Sequence, residues 1–163
     1  MRGLVCRLSA SVMVLSLLFT TSCQVDGQQK KIEIIKFEEA PQAVRDSVER
    51  RFPGAKVSTT ERETEKGKVV FEVALTQEDR KYEMHIKDDG TIEAVEKEIS
   101  LNDVPKAVLA AVTQKYSDAT IEAAMEVSKF KDKKETLDHY LIAVKIGDNK
   151  KEITVSLDGK AVK

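Results

Sequence analysis

Side chains with potential chemistry are few in this chain of 163 residues, and their spacing is unpromising. His85 and His139 are its only histidines. A metal site would need each beside a second ligand at a recognised spacing, and neither has one. They also occupy non-equivalent positions of the repeat described below, so both are read as solvent-facing. Asp88-Asp89-Gly90 lacks the alternating carboxylates of a calcium loop and reads as a turn. Glu93, Glu96 and Glu98 are close in sequence, and Glu96 and Glu98 share one face of a strand. Such a pair could do acid/base work, but no glycine, aromatic or histidine neighbours it in sequence to suggest a pocket. A solvated strand face is the reading. Lys129, Lys131, Lys133 and Lys134 could meet an acidic partner or an anionic headgroup; with Asp132 and Glu135 among them they read as a soluble loop tip. No G-x-S-x-G, phosphate-binding or dinucleotide motif is present. No catalytic, cofactor-binding or metal-binding residue is therefore assigned, and the chain is expected not to be an enzyme.

The N-terminus has a different character. Arg2 and Arg7 precede a mostly apolar run over residues 8–19, too short for a membrane span of about 20 residues. Thr20-Thr21-Ser22-Cys23 then places small residues before a cysteine. This resembles the lipobox of bacterial lipoproteins, with Thr20 where leucine is usual. Residues 1–23 read as a signal peptide with Cys23 as the candidate lipidated residue; the alternative is ordinary secretion with cleavage nearby. Cys6 falls in the removed part, and lipidation would cap the one remaining thiol. A single lipid chain would tether the protein to a membrane without spanning it.

Removing residues 1–23 takes away Arg2, Arg7 and no acid, leaving 140 residues with 25 basic and 28 acidic side chains, a net charge of −3. That balance argues against a nucleic-acid partner. With no Trp and no possible disulfide, the core must come from Val, Ile, Leu and Ala. Residues 24–36 read as a linker, with a short apolar run at 32–35 that could form a leading strand.

The rest is said twice. P-Q-A-V-R-D-S-V-E-R-R-F-P-G-A from Pro41 is answered by P-K-A-V-L-A-A-V-T-Q-K-Y-S-D-A from Pro105. At an offset of 64, Val44 meets Val108, Val48 meets Val112 and Phe52 meets Tyr116. The four-residue recurrence predicts an amphipathic helix in each copy, with Pro41 in the first turn. Alternation predicts strands at 57–62, 68–75, 81–87 and 91–99, then at 120–127, 139–146 and 151–157, with residues 130–136 a charged loop. Asp89-Gly90 and Asp158-Gly159 signal hairpin turns, the first expected to be type I′. The second copy's last strand should be cut short by Lys163. The fold class is α+β: two tandem modules, at 37–99 and 100–163, each a helix packed on a roughly four-stranded antiparallel sheet with one open polar face.

The unit Pro-x-Ala-Val, Phe-Pro-Gly-Ala, G-K-V-x-F-E-V, K-Y-E-x-x-I, D-G-T-I-x-x-V-E resembles the PepSY-like domain, a family similar to the beta-lactamase inhibitory protein. The likeness spans residues 37–163; the second copy departs from it at Tyr116-Ser117-Asp118-Ala119. It implies small exported bacterial proteins with a helix packed on an antiparallel sheet, a binding or inhibitory role, and no catalytic residues. The expected function is a non-enzymatic binding module of the cell envelope, acting on an exported protein as inhibitor or adaptor. The alternative is a small-molecule or metal-ion carrier or sensor in the periplasm, with its site between the modules or near His85 and His139.

Overall fold

The computed structural model describes residues 30–160 and 162. The leader and Cys23 lie outside the described residues. Five strands come from the first part of the chain: β1 (Lys31–Ile35), β2 (Lys56–Glu65), β3 (Lys68–Gln77), β4 (Arg80–Lys87) and β5 (Ile92–Ile99). Three follow: β6 (Thr120–Lys131), β7 (Lys134–Ile146) and β8 (Asn149–Ser156). Helix α1 (Gln42–Arg51) lies between β1 and β2, and α2 (Lys106–Lys115) between β5 and β6, each preceded by a short 3₁₀ turn. No helix among the described residues is long and apolar enough to cross a membrane.

All eight strands form one antiparallel sheet in chain order. The α+β class and the antiparallel strands agree with the expectation. Two modules with separate sheets do not appear: β5 pairs β4 on one side and β6 on the other, through Ala94↔Lys129 to Ile99↔Ala124. The predicted linker is also partly structured, since residues 31–35 pair with β2 as the edge strand. In terms of elements, the unit strand, 3₁₀ turn, helix, three strands occurs twice, and β5 opens the second occurrence as β1 opens the first. The second copy is therefore not short of a strand. Beyond the Gly159 turn, Val162 bridges back to Val155.

The described residues form two cores. Val44, Val48 and Phe52 pack on Phe71, Val73, Leu75, Met84, Ile86 and Val95. Val108 and Val112 pack on Ala124, Tyr140, Ile142, Val144, Ile153 and Val155. Period-four spacing presents one helix stripe and period-two alternation one strand face, so the two patterns meet in each core. Val95 joins the first core and Ile99 flanks the second. These two residues point to the same side of β5, so both helices cover one side of the sheet. The other side is left open by the described residues.

Turns set the register. Pro41 is the residue before α1, its carbonyl accepting from Val44 and Arg45. The Asp89-Gly90 hairpin is not type I′. Among its residues only Gly90 has positive φ, at 84°, and Gly90 N–H donates to the Lys87 carbonyl at 2.9 Å. This is a type I turn closed by a left-handed glycine. Positive φ at both central residues occurs instead at Lys66-Gly67, Glu78-Asp79 and Asp132-Lys133. The last of these corrects the predicted loop at 130–136. It is a two-residue turn between long strands, and β6 and β7 have 12 and 13 residues against 10 and 10 in β2 and β3. Together β6 and β7 are five residues longer than β2 and β3. Their hairpin reaches the first copy: Phe130 packs against its core, and Arg51 pairs with Glu135 at 2.8 Å.

Candidate functional site

The open side of the sheet can be read as rows of directly opposed residues. One row runs Ile34, Glu61, Glu72, His85, Ala94, Lys129. The next runs Ala74, Glu83, Glu96, Val127, His139, Ser156. In a third, Thr76 opposes Lys81, whose ammonium pairs with Glu98, and the row continues through Met125, Leu141 and Thr154. The face is not uniformly polar. Its β2–β5 part is rich in carboxylates, and its β6–β7 part offers Met125, Val127 and Leu141. Val127 is almost fully buried beneath its neighbours. At the β1 edge, Ile32 and Ile34 are 52% and 76% exposed.

The two histidines do not share a site. Three strand spacings of about 4.8 Å separate β4 from β7, and the two residues lie in different rows, so more than about 14 Å of sheet lies between them. His139 Nδ1 is 2.8 Å from the carboxylate of Asp138, which Lys129 also pairs at 2.9 Å. Those two partners hold the Asp138 carboxyl below its usual range.

His85 is not solvent-facing in the expected sense. Its side chain is 28% exposed, and its Nε2 lies 3.5 Å from a Glu83 oxygen and 3.3 Å from a Glu96 oxygen. The atom is closed to solvent, and neither approach has the direction of a well-formed hydrogen bond. These contacts are ion pairs by distance. Glu83 and Glu96 nonetheless push the imidazole up to about 10, against the opposing effect of burial. His85 in turn holds Glu83 below its usual range. Glu72 goes the other way, to about 7, because it is partly buried and then because Glu83 adjoins it. One oxygen each of Glu72 and Glu83 and a ring nitrogen of His85 lie within 4.8 Å of one another.

The charge balance here is uneven. Most surface carboxylates on this sheet have a lysine or arginine: Glu63 has Lys30, Glu93 has Lys87, Glu98 has Lys81 and Glu126 has Lys97. Among the described residues, no such pair involves Glu61, Glu72, Glu83 or Glu96. Glu61 opposes Glu72 directly, and Glu83 opposes Glu96. Like charges opposed across strands are destabilising, so the arrangement is costly as it stands.

Sequence reasoning placed Glu96 on a solvated face with no histidine near. It is in fact only 12% exposed and lies beside His85 across the β4–β5 pair. Glu98 is paired with Lys81, and Glu93 with Lys87, both at the surface. Glu72 went unnoticed, and the signal for it was register. A two-residue turn at Glu78-Asp79 sets Gln77 opposite Arg80, and counting back sets Glu72 opposite His85.

No family model matches the chain, and no curated protein matches it. Solved structures do. A BLIP-like protein of Bacteroides fragilis superposes with a TM-score of 0.51 at 19% identity, over 76% of this chain and 83% of that one. A DUF2874 family protein of Bacteroides uniformis gives 0.56 at 14% identity, over 76% and 88%. The fold is a BLIP-like fold. A DUF2874 family protein of Bacteroides ovatus gives 0.54 at 14% identity, over 76% and 86%. The relationship is one of fold, and it does not single out the PepSY-like domain. Within the BLIP-like fold of this chain, the helices take one side of the sheet and the carboxylate cluster sits on the other.

Proposed function

We propose that this chain is an exported, non-enzymatic binding module whose open sheet face docks onto another exported protein. The observation that carries the reading is the composition of that face. An eight-stranded sheet is covered on one side by both helices, and the other side combines apolar side chains with carboxylates that have no lysine or arginine partner among the described residues. Apolar surface rimmed by charge marks interaction sites. The charge also describes the partner: a surface with a basic patch to meet β2–β5 and an apolar patch to meet Met125 and Leu141. Export rests on the basic and apolar leader, and anchorage on Cys23. Inhibition of a beta-lactamase does not follow from the fold, since one fold serves unrelated functions.

A pull-down from the native envelope with the full chain tests this. The open-face variant carries Glu61→Lys and Glu63→Lys; the control carries Asp46→Lys on the exposed side of α1. One partner should be recovered with the wild type and the control and be depleted at least about tenfold with the open-face variant. Recovery unchanged by the open-face variant, or lost with the control, would refute the docking surface. Turnover of a substrate by the purified chain alone would refute the non-enzymatic part.

A further inference from the structure

Glu72, Glu83 and Glu96 adjoin one imidazole on the open face and Glu61 opposes Glu72, with no lysine or arginine among the described residues paired to any of the four. We propose that Glu72, Glu83 and His85 bind a divalent transition-metal ion of the zinc class. This stands apart from the docking reading, because an ion can be bound by the isolated chain.

Three observations converge on it. The first is geometry. The three donor atoms already lie within 4.8 Å of one another. Ligand bonds of about 2.0–2.2 Å in a tetrahedron place donors roughly 3.3–3.6 Å apart. His85 Nε2 and the Glu83 oxygen stand at 3.5 Å. Closing the triangle would need the Glu72 carboxylate to turn inward by about an ångström or more. The second is charge. Glu61 and Glu96 add two carboxylates that no lysine or arginine among the described residues pairs, so a dication meets an acidic field there. The third is the imidazole. Nε2 is shielded from water and lacks a hydrogen bond of normal direction, so it is a buried polar atom whose missing partner an ion would supply.

The donor set selects the class of metal. An imidazole nitrogen with two carboxylates suits zinc and its first-row neighbours, whereas calcium and magnesium take oxygen shells. Three protein ligands leave a fourth position for water on this partly exposed face. Glu96 lies at the rim of the site, with an oxygen 3.3 Å from Nε2, and adds negative charge beside it.

The test is calorimetric titration of the full, chelator-treated chain with zinc, then with calcium, supported by visible absorption after cobalt substitution. One zinc ion per chain should bind. His85→Gln, Glu83→Gln and Glu72→Gln should each weaken it at least roughly tenfold, and His139→Gln should leave it unchanged. Cobalt should give the intense visible bands of a low-coordinate nitrogen and oxygen site, without thiolate charge-transfer absorption. Absence of saturable zinc binding would overturn the proposal. So would zinc binding that survives His85→Gln, as it would through Cys6 or Cys23, or calcium binding as tight as zinc. If circular dichroism shows His85→Gln unfolded, the two glutamine variants and the cobalt spectrum decide the matter alone.

Discussion

Gly90→Ala should be among the most damaging single-methyl changes in the protein. A Cβ built on Gly90 would sit 2.6 Å from the Ala43 carbonyl oxygen, 3.0 Å from its carbon and 3.1 Å from its Cβ. All three atoms belong to the first turn of α1, so nothing flexible can swing aside. The same turn is tied down by the Ser47 hydroxyl, which donates to the Gly90 carbonyl at 2.7 Å. Two costs add. A left-handed backbone at φ 84° costs an L-residue about 1–2 kcal/mol, and forced overpacking about 1–3 kcal/mol more. The expected loss is about 2–5 kcal/mol, or a Tm lowered by roughly 6–20 °C. Gly67 supplies the control. Its φ is 75°, but a Cβ there meets nothing within 4 Å, so Gly67→Ala should cost only the backbone part. Thermal and urea unfolding of the two variants isolates the helix-to-turn contact. Equal destabilisation by Gly90→Ala and Gly67→Ala would refute the reasoning. Gly159→Ala should repeat the Gly90 result, because its Cβ would fall 2.6 Å from the Ala107 oxygen.

Other expectations follow from the cluster and the long hairpin. In metal-free protein, Glu72 has a folded pKa of about 7 against an ordinary 4.5, so the folded state holds the extra proton between those values. Stability should then fall as pH rises from 4.5 through 7, and Glu72→Gln should abolish this dependence. After discounting for its exposure, the loss from pH 5 to pH 8 is about 1–2 kcal/mol, read from urea midpoints at the two pH values. His85 has the same sign over a higher window: its contribution is complete below 6.5 and is lost as pH climbs through about 10. Phe130→Ala should cost about 1–3 kcal/mol, because this second-copy side chain lies half-buried on the first core. Arg51→Ala should cost under about 1 kcal/mol, since its ion pair with Glu135 is exposed on both sides.

Much of the fold was legible in the sequence, for reasons that also explain what was not. Val44, Val48 and Phe52 at period four, repeated 64 residues later, make a helix stripe that no strand would use. Val69, Phe71, Val73 and Leu75 at period two do the same for β3. Joining the two sheets into one was not legible. An antiparallel strand shows the same alternation at an edge or in the middle, so residues 91–99 gave no sign of a second neighbour. The carboxylate cluster was hidden by a similar ambiguity. A five-residue turn at 76–80 leaves the register of β3 against β4 undefined, while the actual two-residue turn puts Glu72 opposite His85. That turn uses Glu78 and Asp79 at positive φ, without the asparagine or glycine that normally announces it. Neither histidine was expected to meet carboxylates, because strand neighbours are distant in sequence.

Site-specific photocrosslinking in the native cell tests the central claim most directly. A photoreactive residue would replace Ala74, Met125 or Ala143 on the open face, and Asp46 or Thr113 on the helices, one position at a time. The account predicts that the open-face positions crosslink to one and the same partner and that the helix positions do not. Crosslinks confined to the helix positions, or none from the open face, would contradict it.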